Sequence, residues 1–170
     1  MVGEIRNNNS LSIESPLNYI IDVLDFMMDN LGKSRPEEWV EMFRKRGAEE
    51  IIKSGFTTGC TDSAIVFCTL VRAAGYPTKY IEVISKRWLD SKENEKKPIK
   101  GHVFAEVMVN KDRWILIDPD SKKICIDSGR EWEIFEIYDV GLDSHDFGLT
   151  SFAELKKKFF EYREKRNSKK

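Results

Sequence analysis

The chain has little of several features that would assign it to a specialised class. Three cysteines in 170 residues are too few, and odd in number, for a disulfide framework. No stretch approaches the roughly 18 apolar residues of a membrane span, and residues 1–10 lack the apolar run of a signal peptide. The formal net charge of −1 gives no overall attraction to nucleic acid. We therefore expect a cytoplasmic protein without membrane or nucleic-acid partners.

The composition that is present suits one globular domain. Hydrophobic residues make up 41% of the chain and charged residues 34%, enough for a buried core with a solvated surface. We find no internal repeat and no linker, so residues 1–170 are predicted to form a single domain. Its expected parts are N-terminal helices over about 16–53, a core over about 55–120, and a C-terminal strand and helix over about 124–165.

Apolar spacing and capping residues predict the N-terminal helices. Ser15 caps and Pro16 begins a first helix that ends at Gly32, and a second helix runs from a cap at Ser34 to about Arg46. A shorter turn over 48–53 follows. The apolar residues assigned to the inner face of the first helix are Leu17, Ile20, Ile21, Leu24, Met27, Met28 and Leu31.

Strands are predicted after residue 77, because β-rich residues there alternate with period two. The predicted strands cover 78–84, 102–109, 113–118, 124–126 and 132–138, with a solvated loop over 85–101 and a C-terminal helix over 151–163. Helices followed by antiparallel strands and a last helix indicate an α+β fold, with a buried helix on one face of the sheet.

The buried helix is predicted over 60–74, and Cys60 stands at its start. Its residues are apolar on nearly every side, and Gly75 and Pro77 end it. A cysteine in the first turn of a helix lies where backbone N–H groups and the helix dipole stabilise a thiolate. The alternative is that a buried cysteine is only a small core residue, which is what we expect of Cys68.

A histidine and an aspartate on neighbouring strands complete a possible Cys–His–Asp set. His102 begins one predicted strand and Asp118 ends the next. A three-residue loop over 110–112 places the two side chains on one face, whereas a two-residue loop places them on opposite faces. An enzymatic role therefore predicts the first register, or a bulge that restores it. Taken singly, His102 could be structural and Asp118 a turn residue before Pro119.

Four segments resemble the transglutaminase-like core, a papain-related superfamily that includes transglutaminases, microbial cysteine peptidases and peptide N-glycanases. They are GCTDSA at 59–64, LVRAAGYP at 70–77, GHVFAEV at 101–107 and RWILIDP at 113–119. The resemblance covers about residues 55–120. It departs from the family pattern after the histidine, where Val103 and Phe104 replace a frequent Ala-Trp pair.

The resemblance implies a papain-like fold and a thiol-dependent peptidase or amidase with Cys60 as nucleophile, His102 as acid and base, and Asp118 as the residue that orients the imidazole. Trp39 is a candidate for the upstream residue of the oxyanion hole. The alternatives are a protein-glutamine acyltransferase and a catalytically silent binding domain on the same fold. The expected substrate is a peptide or protein amide. We expect no cofactor and no metal, since the cysteines and histidines lack close ligand spacing.

Overall fold

The computed structural model describes residues 15–91 and 98–169. The lead-in over 1–14 and the middle of the loop predicted over 85–101 lie outside the described residues. The α-helices are α1 (Pro16–Asn30), α2 (Trp39–Met42), α3 (Ala48–Ser54), α4 (Cys60–Ala73), α5 (Lys86–Asp90), α6 (Gly129–Ile134) and α7 (Phe152–Asn167). The strands are β1 (Gly32–Lys33), β2 (Phe56–Thr57), β3 (Thr78–Ser85), β4 (Gly101–Asn110), β5 (Arg113–Asp118), β6 (Lys123–Cys125) and β7 (Phe135–Gly141), and a 3-10 helix covers Ser144–Phe147.

The strands form an antiparallel sheet of five in the order β6-β5-β4-β3-β7, beside a parallel pair of β1 and β2. The main sheet is antiparallel and helices pack on it, so the α+β prediction is confirmed. None of the helices in the two described ranges has the length and apolar character needed to cross a bilayer.

Helix α4 lies at the centre of the main core, as the sequence predicts. It contacts α1 and α3 on one side and β3 and β4 on the other. Its apolar surface explains this position, because a helix without a polar face is stable only when it is covered all round. The helix stops where Gly75 takes a φ of 91°, a left-handed conformation that a side chain disfavours.

The second face of the sheet is also covered, which the sequence analysis did not predict. Ile81, Val83, Phe104, Leu116 and Cys125 form a separate buried cluster there. Trp132 of α6 and Phe135 of β7 pack against that cluster. Both faces of β4 are therefore held in place, which leaves the end that carries His102 little freedom to shift.

The helix predicted over 34–46 is wrong. Only the four residues of α2 are helical, and the backbone of residues 32–34 before them pairs with the chain that precedes Cys60. Gly32 N–H donates to Gly55 O (2.9 Å) and Ser34 N–H donates to Thr57 O (3.0 Å). The chain stays non-helical through residues 34–38, where a first helical turn after a cap at Ser34 was predicted.

The strand predicted over 132–138 is wrong in its first part, since residues 129–134 form α6 and the strand begins at Phe135. The residues around Trp132 have a β-rich composition because Trp132 packs on the sheet, although they are not part of a strand. In α1 the predicted inner face is partly wrong as well, because Leu17, Ile21 and Met28 are exposed. Tyr19 and Val23 are buried instead.

Replacing a buried sulfur in α4 tests how tightly the core is packed. Cys68 is fully buried, so we expect Cys68→Ala to lower the free energy of unfolding by about 1–2 kcal/mol through lost contacts. Urea denaturation measures this. Ile126→Ala is the control, because that side chain is 93% exposed and its truncation should change stability by less than about 0.5 kcal/mol. Equal effects of the two substitutions would contradict a tightly packed α4.

Candidate active site

The hairpin between β4 and β5 sets the relation between His102 and Asp118. Met108 pairs with Trp114, but Asn110 pairs with Arg113, so Val109 forms a bulge. The loop is the two residues Lys111–Asp112, and the bulge restores the register that a three-residue loop would have given. Ala105 lies opposite Ile117, which places His102 and Asp118 on the same face of the sheet. An enzymatic role required either a three-residue loop or a bulge that restores the same register, and the structure has the bulge.

His102 and Asp118 face each other at the end of this hairpin. His102 Nε2 lies 3.0 Å from Asp118 Oδ1, an ion-pair distance, although Nε2 makes no hydrogen bond of normal geometry within the described residues. Asp118 Oδ1 also accepts the backbone N–H groups of Asp120 (3.2 Å) and Ser121 (3.1 Å). These two bonds fix the carboxylate, so that the imidazole has a stationary anionic partner.

The imidazole is further held by two aromatic rings. Phe104 meets it edge-on at a centroid distance of 4.8 Å, and Phe135 stacks on it at 6.0 Å with an angle of 25° between the planes. Phe135 lies at the start of the edge strand β7, outside the four segments that resemble the superfamily. The ring of His102 is thus oriented by packing as well as by charge.

Cys60 occupies the first position of α4 and is half-buried. Its thiol interacts with the His102 ring and raises the pKa of that imidazole. Both side chains line a cavity of about 370 Å³. The structure therefore brings all three predicted residues together, with the sulfur open to an occupant of the cavity.

The electrostatics of the site favour a protonated imidazole. Burial lowers the pKa of His102, but the interactions with Asp118 and Cys60 outweigh it and raise the pKa to about 10. Burial likewise opposes ionisation of Asp118, yet His102 and Ser121 lower the pKa of that carboxyl. An imidazolium beside a sulfur atom is the arrangement in which a thiolate is stabilised and a proton is ready for transfer.

A buried ion pair fixes the loop before Cys60, and the sequence analysis missed it. Asp62 Oδ2 accepts the backbone N–H and the hydroxyl of Thr58, each at 2.8 Å, and pairs with Arg46. From the sequence alone, Asp62 is only an acidic residue in the first turn of a helix, where the helix dipole favours negative charge. The role of Arg46 was hidden because that residue fell at the end of the wrongly predicted helix.

The remaining candidates lie elsewhere or play other parts. Cys68 and Cys125 are buried outside the cavity, and burial raises their pKa values to about 12 and about 11. His145 lies in the 3-10 helix, 3.3 Å from Asp143, and does not line the cavity. Trp39 does line it, beneath the Arg35 guanidinium at 4.9 Å. Within residues 15–91 and 98–169 no three acidic, histidine or cysteine side chains form a metal-binding group.

Comparisons with known proteins agree with this architecture. The family model described as the transglutaminase-like superfamily matches residues 10–119. A search of curated protein sequences found no match. Among solved structures, LapG of Legionella pneumophila superposes with a TM-score of 0.54 and 14% sequence identity, over 82% of this chain and 69% of that chain. At this identity the likeness establishes a common fold and nothing finer.

The charge state of His102 can be measured by NMR. We expect its imidazole to stay protonated well above pH 7, and Asp118→Asn to lower its pKa because the anionic partner is lost. A pKa raised in the folded state stabilises the protein fully below the unfolded value of 6.5, and this stabilisation is lost as the pH rises towards about 10. His145→Gln leaves a single histidine resonance for the titration. A wild-type His102 that titrates below pH 7 would contradict the assigned geometry.

The buried ion pair between Arg46 and Asp62 should be essential for folding. Asp62→Ala leaves Arg46 buried without its partner, so we expect the free energy of unfolding to fall by about 3–5 kcal/mol. Chemical denaturation followed by circular dichroism measures this loss. Glu49→Ala is the control, since Glu49 and Lys53 form a pair in which both side chains are 70% exposed. A similar, small effect of both substitutions would show that the Asp62 pair contributes little.

Proposed function

The chain belongs to the transglutaminase-like superfamily, and from that premise we propose that it is a thiol-dependent hydrolase of peptide or protein amide bonds that acts through Cys60, His102 and Asp118. The observation that carries the proposal is the contact of one imidazole with both partners. His102 lies 3.0 Å from the Asp118 carboxylate and interacts with the Cys60 thiol at the wall of a cavity. This is the spatial relation of nucleophile, base and orienting group in covalent catalysis.

The first half of the proposed reaction transfers the acyl group to the enzyme. The Cys60 thiolate attacks the amide carbonyl carbon, and the carbonyl oxygen becomes an oxyanion. The Cys60 backbone N–H points out of the first turn of α4, where N–H groups have no partner within the helix, and stabilises that charge. When the C–N bond breaks, the His102 imidazolium gives its proton to the departing nitrogen. The products are a free amine and a thioester on Cys60.

In the second half of the proposed reaction, water releases the acyl group from Cys60 as a carboxylic acid. His102, now neutral, takes a proton from a water molecule while the water oxygen attacks the thioester carbonyl. The C–S bond then breaks, which releases a carboxylic acid and restores the pair of thiolate and imidazolium. Asp118 stays ionised and holds the ring throughout. The partial exposure of Cys60 supports water as the acceptor, because solvent reaches the thioester directly.

We also propose that the protein works in the cytoplasm. Its three cysteines are all free thiols, and a nucleophile of this kind functions only where it stays reduced. The peptide or protein substrate would enter the cavity from solvent, with one side chain beside Cys60.

Selective chemistry at Cys60 tests the proposed function. We expect Cys60→Ala to abolish the release of aminomethylcoumarin from a fluorogenic peptide library while the circular dichroism spectrum is unchanged, since the residue lies at a helix end. In the native protein iodoacetamide should modify Cys60 faster than Cys68 or Cys125, which are buried and have raised pKa values. Peptide mapping by mass spectrometry measures this order.

Cys68→Ala is the matched control, and we expect it to keep both the hydrolysis and the Cys60 alkylation. Hydrolysis that survives Cys60→Ala, or equal alkylation of all three cysteines in the folded protein, would overturn the proposal.

A further inference from the structure

The cavity beside Cys60 has an aromatic wall, half of whose rings come from helix α7, beyond residues 10–119 that match the superfamily. Helix α7 supplies two of its rings, and residues before α4 supply two more. Trp39 meets Phe152 edge-on at 5.1 Å, and Phe43 meets Phe152 at 5.5 Å with an interplanar angle of 85°. The apolar lining includes Trp39, Phe43, Ile99, Phe152, Leu155 and Phe159. Edge-to-face rings of this kind readily accommodate a further aromatic ring.

One buried carboxylate lies in this apolar wall. Glu82 stands on β3 directly opposite Val103, the neighbour of His102, and lines the same cavity as Cys60. Its side chain is 3% exposed. One oxygen, Oε1, pairs with Arg44, whose own side chain is fully buried and whose Nη1 donates to Ser144 O at 3.2 Å. The other oxygen, Oε2, is buried and has no hydrogen-bond partner among the described residues.

A buried acceptor without a donor is costly, and a ligand that brings a donor removes that cost. The charge of Glu82 is already balanced by Arg44, so a cationic group would add an uncompensated buried charge. A neutral O–H or N–H group adds a hydrogen bond without adding charge. The occupant that fits therefore has an apolar, ring-like body and a neutral donor at its tip.

We propose that the cavity binds a tyrosine-like side chain of the substrate, with its ring among the aromatic residues and its phenol hydroxyl donating to Glu82 Oε2. This inference rests on the proposed function, because the cavity matters for specificity only if Cys60 attacks the bond beside that side chain. Glu82 then selects the substrate and takes no part in the bond-breaking steps.

A series of chloroacetamides that differ only at the ring tests the proposal on the unmodified protein. In each reagent the Cys60 sulfur displaces chloride and forms a thioether, and glutathione measures the intrinsic reactivity. The N-substituents are 2-(4-hydroxyphenyl)ethyl, 2-phenylethyl, 2-(4-methoxyphenyl)ethyl and 2-(4-aminomethylphenyl)ethyl. We expect the phenol to modify Cys60 at least about 10-fold faster than the other three, because it alone carries a neutral donor at the ring tip. Equal rates for the phenol and phenyl reagents would overturn the inference, and this is the result expected if a water molecule already donates to Oε2. A faster rate for the ammonium reagent would overturn it as well.

Substitution of Glu82 supplies an independent measurement. Glu82→Gln keeps the size of the side chain but removes the charged acceptor, and we expect the preference for phenol over phenyl to fall at least about 5-fold. Glu106→Gln is the control, since Glu106 is a partly exposed carboxylate on β4 that pairs with Lys79 and does not line the cavity. If Glu82→Gln does not fold, the reagent series on the wild-type protein decides alone.

Binding without chemistry separates a failure of the inference from a failure of the proposed function. In Cys60→Ala, NMR titration should show N-acetyltyramine binding at least about 10-fold more tightly than N-acetyl-2-phenylethylamine. If Cys60 reacts readily but neither assay shows a preference, the inference is wrong and the proposed function stands. If Cys60 is inert to every reagent but the phenol still binds selectively, the proposed function is wrong and the cavity is a binding site for phenols.

Discussion

The register of one hairpin decides whether His102 and Asp118 meet. Side chains alternate along a strand, so a single residue added to or removed from the loop between β4 and β5 would turn Asp118 away from His102. The chain meets this constraint with a short loop and a bulge at Val109 rather than with a longer loop. The Asp118 contribution to the raised pKa of His102 depends on that register, because the register places the carboxylate beside the imidazole.

Two buried ion pairs support the site from the same short segment. Arg44 and Arg46 are both buried, and they reach Glu82 in the sheet and Asp62 in α4 respectively. Arg44 has a φ of 59°, so the chain is not helical there, and the two side chains depart from an irregular turn. Buried pairs add little net stability compared with apolar residues, but losing one partner is costly. Here the two pairs fix the positions of the loop before Cys60 and of the cavity wall that holds Glu82.

Local patterns in the sequence were sufficient for the parts of the fold that local interactions determine. Helix α1 begins where Ser15 caps it, its hydroxyl accepting Leu17 N–H at 3.2 Å, and α4 covers almost the range that its apolar run predicts. The segment after β1 was misread because its backbone bonds go to residues about twenty positions away, and periodicity carries no information on such pairing. The residues of the site divide in the same way, into those that local patterns indicate and those that only long-range pairing brings together. Cys60, His102 and Asp118 could be proposed from motif and register, whereas Phe135 and Glu82 are recognisable only once the sheet has brought them beside the imidazole or the cavity.

Helix α7 closes the cavity although it follows the part of the chain that matches the superfamily. It is anchored at its far end by Arg166, which pairs with Glu136 at 2.8 Å and with Asp90 at 2.7 Å. One wall of the cavity thus comes from a helix outside the matched region, while Cys60, His102 and Glu82 in the same cavity lie inside it. A substitution on the inner side of this helix would therefore reshape one wall of the cavity without touching the hairpin that places His102 beside Asp118.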